Sequence, residues 1–156
     1  MGFTALLLTA CGFQLRGSYA LPYKSVFVSA PASSSVASLI RRTIADGPTQ
    51  VVASGKDADG QLNIVEELRD KQILSLSGAG RVREYTLRLV VRYQLVDGRG
   101  AVIIPTSEIQ LSRILAYDDS QIIAKQQEEL IFFQDMEKDA VGQILRRMVA
   151  VKRPGS

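Results

Sequence analysis

Histidine and tryptophan are absent from this chain, and cysteine occurs once, at Cys11. Without an imidazole there is no Ser-His-Asp triad, no Cys-His pair and no His-ligated metal site. A single thiol makes no intramolecular disulfide and no cysteine cluster for zinc or iron–sulfur. Aromatic residues are sparse, at 6%, and no apolar run reaches the ~18 residues that a membrane-spanning helix needs. Carboxylates are the remaining route to catalysis, with Glu66, Glu67 and Glu108 as candidates. None stands at a catalytic spacing or beside a nucleophile–base pair. The expectation is a protein without catalytic residues, metal or cofactor.

What is present is ordinary for a globular protein. The 156 residues are 46% hydrophobic and 22% charged, enough for one domain with a core that needs no disulfides. The net charge is +3. Thirteen of the nineteen basic residues are arginines, whose planar forks grip phosphate or carboxylate with two bonds. No basic cluster interleaves with aromatics, so nucleic acid is not the expected partner.

The first ten residues form a small, apolar stretch that ends at Cys11. They resemble the end of a secretory leader, without its positively charged start. The expected reading is a signal peptide that is cut short here or begins upstream. Leu8-Thr9-Ala10-Cys11 resembles the bacterial lipobox, which implies acylation of Cys11 and cleavage before it. Three acyl chains anchor firmly, since each buried CH₂ contributes roughly 0.8 kcal/mol. Gly12 rather than Asp follows, which by analogy with sorting rules favours the outer membrane. The alternative is a short buried strand with Cys11 as a core thiol. Residues 11–22, with their Gly, Ser and Pro punctuation, read as a tether.

The rest, residues 23–150, reads as a single α+β domain. Lys24 to Ala30 is a first strand closed by Pro31. Ser33 to Ser35 offer an N-cap for a helix to about Asp46, with Val36, Leu39, Ile40 and Ile44 on one face. Thr49 to Ser54 is a brief apolar run, and Gly55 to Gly60 a solvated turn. Gln61 to Ser77 is expected to be a long strand with Leu62, Ile64, Glu66 and Leu68 on one face, resumed by Leu74 and Leu76. From Val82 to Asp97 the alternation is plainest. Tyr85, Leu87, Leu89, Val91, Tyr93 and Leu95 fall on one side, and Glu84, Thr86, Arg88, Arg92 and Gln94 on the other. Asp97-Gly98 signals a hairpin into a strand from about Val102 to Tyr117. Asp118, Asp119 and Ser120 can cap a final helix to about Val149. Its expected stripe is Leu130, Phe133, Val141, Ile144 and Met148, with a polar head that overhangs the sheet. Residues 151–156 read as a frayed tail. The order β-α-β-β-β-α, with room for one more short strand, predicts a two-layer sandwich. Its mainly antiparallel sheet of four to five strands would carry both helices on one face.

Two segments carry a family resemblance. Leu8 to Gly17 (LTACGFQLRG) resembles the start of mature lipopolysaccharide-assembly lipoproteins, the LptE family. Glu84-Tyr85 and the Lys125 region (IIAKQQEE) are similar to its central hairpin and the head of its last helix. The resemblance implies a protein at the periplasmic face of the outer membrane. It would plug a large β-barrel translocon, LptD, one to one, help that barrel assemble and bind lipopolysaccharide. Lys125 matches a basic position implicated in lipid contact. A second such position falls at Gly78, with Arg81 and Arg83 the nearest cations. Arg88 and Arg92 would give the sheet a polar face suited to a wet barrel lumen, or simply pair with Glu66, Glu67, Glu84 or Glu108 across the strands.

Two other readings compete: a stand-alone lipid-binding lipoprotein auxiliary to a phospholipid transport system, and a passive envelope tether. Under the lipobox reading, Cys11→Ala leaves the protein in the soluble periplasmic fraction. A variant that still pellets with membranes in a fractionation assay contradicts the anchor.

Overall fold

The structure, a computed structural model, describes residues 19–151. The leader, Cys11, most of the tether and the C-terminal tail lie outside these residues. Strand β1 (Ser25–Ser29) leads into helix α1 (Ser35–Ala45) and a short strand β2 (Gln50–Val52). Three long strands follow, β3 (Gly60–Leu76), β4 (Val82–Asp97) and β5 (Val102–Ala116), and the chain ends in the 29-residue helix α2 (Ile122–Ala150). The five strands form one sheet in the order β2-β1-β3-β4-β5. β1 runs parallel to both its neighbours, and β3, β4 and β5 are antiparallel. This is the expected α+β sandwich, and β2 is the extra short strand.

Local chemistry explains the elements. Ser34 caps α1, its hydroxyl accepting from the Ala37 N–H at 3.0 Å, and Val36, Ala37, Ile40 and Ile44 are buried. On β4, Leu87, Leu89, Val91, Tyr93 and Leu95 are almost wholly buried beneath the helices, as the alternation predicts. From α2 the core takes Phe133, Met136, Ala140, Val141, Ile144, Leu145 and Met148. Tight contacts close the proximal end, where β1 starts: a Cβ on Gly98 would stand 2.6 Å from the Ala58 carbonyl.

Three expectations need correction. The first concerns β3. Ile64 pairs with Tyr93 but Glu66 pairs with Arg92, so Val65 is an extra residue in a β-bulge. A bulge shifts the side-chain period by one. Leu62 and Ile64 are buried, yet Leu68 is 47% exposed and, like Glu66, lies on the open face. Glu67, Arg69 and Lys71 turn toward the helices instead. A second irregularity between Ile73 and Ser75 leaves Leu74 and Leu76 exposed. The second correction is Leu130, which is exposed because the first turns of α2 stand beyond the core. The third is the cap: Asp118 accepts from Ser120 N–H at 2.9 Å and caps a 3₁₀ turn, Asp119–Gln121, ahead of α2. Gln121, the N-cap of α2, makes no side-chain cap bond.

Candidate functional site

The residues singled out in the sequence separate into two places. Arg88 and Arg92 lie mid-sheet on the open face, away from the helices. Arg88 pairs with Asp70 at 2.8 Å. Arg92 spans three strands, reaching Glu66 on β3 and Glu108 on β5, both at 2.8 Å. The hydrogen bond to Glu108, then the charge of Glu66, holds the guanidinium further on the charged side. Glu66 and Glu108 are among the cross-strand partners expected, whereas Asp70 was not, and together these groups form an ion-paired surface rather than an open cation site.

Arg81, Arg83 and Lys125 sit at the distal end. There the β3–β4 turn, the end of β5 and the head of α2 meet. The Tyr117 N–H donates to the Arg83 carbonyl at 2.8 Å, and the turn is closed by Ser77 N–H to the Arg81 carbonyl at 2.7 Å. Arg83 is the extra residue at the register break between Val82 and Glu84. Lys125 bonds Glu128 one turn on at 2.7 Å. Asp118 sits among these cations. Its carboxyl is held below the usual range first by hydrogen bonds from Ser120 and then by the charges of Lys125 and Arg81. The structure therefore brings Lys125 and Arg81 into one electrostatic neighbourhood, with an acid between them.

Sequence reasoning missed part of this end. Lys71 reaches Glu129 at 2.5 Å and lies over the Tyr85 ring at 4.3 Å, which fastens the head of α2 to the sheet. Tyr85 meets Tyr117 edge to face at 5.1 Å. Around these polar groups, Ile73, Leu74, Leu76, Ile114, Ile122 and Ile123 all expose roughly half or more of their surface. Such a concentration of exposed aliphatic side chains marks a contact surface. Of these, alternation assigns Leu74 and Leu76 to the core face and gives the others no role.

A second polar cluster ties the helices to β3. Glu67 accepts from the Ser34 hydroxyl at 2.6 Å and the Val36 N–H at 3.1 Å, so the first turn of α1 is closed by a carboxylate from the sheet. Arg69 bonds Ser35 at 2.6 Å, stands 3.6 Å from Glu67, pairs with Glu137 of α2 and covers the Phe133 ring. Burial pushes the Glu137 carboxyl up, Arg69 opposes this, and the Glu67 charge adds to it.

The lipopolysaccharide-assembly family model, LptE, matches residues 23–148. The chain belongs to the LptE family. It is similar to the LPS-assembly lipoprotein LptE of Photorhabdus laumondii, 24% identical over 97% of this chain and 84% of that protein. Among solved structures it resembles an uncharacterized lipoprotein B of Nitrosomonas europaea, 41% identical, with a TM-score of 0.76 over 89% of this chain and 91% of that one. A minor lipoprotein of Acinetobacter baumannii, 24% identical, shares the fold with a TM-score of 0.66 over 86% and 99% of the two chains. LptE proteins are lipopolysaccharide-assembly lipoproteins, not an enzyme family.

In this LptE chain the arginine between Glu67 and Glu137 has a testable energetic role. A carboxyl whose folded pKa is raised gives its full stability below the unfolded value and loses it as pH rises through the folded one. Arg69→Met removes the compensating charge. It should cost about 2 kcal/mol at pH 7, discounted from the fully buried case because the guanidinium is partly exposed. The deficit should shrink as pH falls toward 4.5, the ordinary glutamate value. Denaturant unfolding at several pH values checks this, and a deficit that is flat with pH contradicts it.

Proposed function

We propose that this LptE chain is held on the periplasmic side of the outer membrane by an acylated Cys11. There it plugs an LptD-like β-barrel one to one, aids that barrel's assembly and hands lipopolysaccharide on at its distal tip. The observation that carries the reading is the composition of that tip. Arg81, Arg83 and Lys125 share one end of the sandwich with exposed isoleucines and leucines of the β3 end, the β5 end and the start of α2. Lipopolysaccharide offers the same two chemistries, phosphates and acyl chains. Arginine forks and a lysine suit the phosphates, and the aliphatic rim suits chains drawn out of a bilayer.

The open sheet face supports the plug. Glu66, Asp70, Arg88, Arg92 and Glu108 present a polar surface on which every one of these charges has an ion-pair partner. A water-lined barrel interior accepts such a surface without leaving a buried charge unpaired. The stand-alone carrier reading fits less well. The groove of about 580 Å³ between α1 and α2 has Ala32 and Leu39 as its apolar lining, and four serines, Arg42, Gln134, Glu137 and Lys138 make up the rest, poor company for an acyl chain.

The charge-reversed chain Arg81→Glu/Arg83→Glu/Lys125→Glu should bind lipopolysaccharide at least about tenfold more weakly, a loss of ~1.4 kcal/mol or more. Ile122→Ser/Ile123→Ser should weaken binding without changing its salt dependence. Pull-down of purified chain by immobilised lipopolysaccharide reads both effects. Wild-type binding by the charge-reversed chain contradicts the tip as the contact. Purification of the tagged chain alone with phospholipid, and no barrel, favours the carrier.

A further inference from the structure

Among the described residues, β5 forms one edge of the sheet for fifteen residues, whereas the opposite edge, β2, has three. Long free edges expose unpaired backbone groups and are normally guarded by proline, lysine, a bulge or a cover. Pro105 and the register break opposite Tyr93–Leu95 guard the first part of β5. Beyond them, ten residues from Ser107 to Ala116 keep an unbroken register with β4 and contain no proline, glycine or lysine. The two charged side chains on this stretch are drawn sideways. Glu108 goes to Arg92 on the open face, and Arg113 to Asp139 of α2.

The phase of this edge follows from one bond. The Tyr117 N–H points at β4, donating to the Arg83 carbonyl. In an antiparallel ladder the direction alternates along the strand. The backbones of Ser107, Ile109, Leu111, Arg113 and Leu115 therefore pair with β4, and those of Glu108, Gln110, Ser112 and Ile114 point outward. Arg113 Nη1 donates to the outward Ser112 carbonyl at 2.9 Å, so an incoming N–H would displace an exposed side chain there. The side chains of these outward residues belong to the same open face as Arg88 and Arg92.

We propose that residues 107–116 of β5 accept an extended segment of the barrel partner as a sixth strand of the sheet. The open face proposed to meet the barrel runs into this edge without a break, since the Arg92–Glu108 pair joins them. A barrel's wall strands are already fully paired, so the sixth strand is a segment that enters the lumen. It pairs through the outward amides of Glu108, Gln110, Ser112 and Ile114, as in other strand-addition complexes. The inference rests on the plug reading above.

Amide hydrogen exchange on the full-length chain, alone and in its purified complex with the barrel, tests the inference. In the isolated chain the amides of 109, 111 and 113 are protected and those of 108, 110, 112 and 114 exchange freely. In the complex the second set gains protection of at least about tenfold. Gln110→Pro/Ser112→Pro removes two outward N–H groups and leaves the β4 ladder intact, because edge proline is tolerated where its nitrogen faces outward. That variant should keep its unfolding midpoint as an isolated chain and yield at least about tenfold less barrel complex. A complex whose even-numbered amides exchange as in the free chain overturns the sixth strand and leaves the plug standing. So does concentration-dependent protection of the isolated chain, which assigns the edge to a second copy. A wild-type chain that never co-purifies with the barrel overturns the plug reading itself, and the inference with it.

Discussion

The bulge at Val65 governs this molecule. Inserting one residue into β3 opposite Tyr93 and Arg92 reverses which side chains face the helices from Glu66 to Ile73, nearly half of the strand. Ahead of it the strand gives the core Leu62 and Ile64. Beyond it the strand gives the helix layer Glu67, Arg69 and Lys71. Each of these reaches a helix: Glu67 the first turn of α1, Arg69 the middle of α2, and Lys71 its head. A strand of uniform period would have buried Leu68 and turned those charges to solvent. Above the distal sheet, ion pairs and hydrogen bonds from β3 therefore add to the apolar packing of Leu87, Leu89, Leu115, Phe133 and Met136, while the proximal layer is held by aliphatic packing alone on the β3 side.

This division explains how one small sandwich combines a rigid body with a chemically mixed tip. The packed proximal half anchors α2 through Ala140, Ile144, Leu145 and Met148, all fully buried. The same helix then runs out over Tyr85 and Lys71 with isoleucines exposed at its start. Helices in water do not expose apolar side chains in groups without a use for them. Here the exposed groups gather with Arg81, Arg83 and Lys125 at the end remote from the start of β1. The domain thus carries an ion-paired sheet face along its side and a mixed cationic and aliphatic tip at its distal end.

Much of this was legible in the sequence, for identifiable reasons. β4 is flanked by long strands on both sides and alternates without interruption, so Leu87 to Leu95 could be assigned to the core from period alone. The Ser34 cap and the 3-4 spacing of Val36, Ile40 and Ile44 marked α1, and Glu66 and Glu108 were among the four cross-strand partners offered to the sheet arginines. β3 was misread beyond Ile64 because a bulge leaves no mark in composition: Val65 is as good a strand residue as its neighbours. That error hid the Glu67–Arg69–Glu137 cluster, which depends on the reversed period. The aliphatic rim of the tip was missed for a related reason, since Leu74, Leu76 and Leu130 look like core residues until the sheet and helix are seen to end at different heights.

The most direct test of the bulge compares two positions that simple alternation puts on the same face. In a Cys11→Ser background, Ile64→Cys and Leu68→Cys each leave one thiol in the chain. The account predicts that the thiol at position 68 reacts with a water-soluble maleimide at the rate of an exposed cysteine. The thiol at position 64, whose native side chain is 3% exposed, should be slower by at least about a hundredfold under native conditions. Equal protection at the two positions would contradict the account.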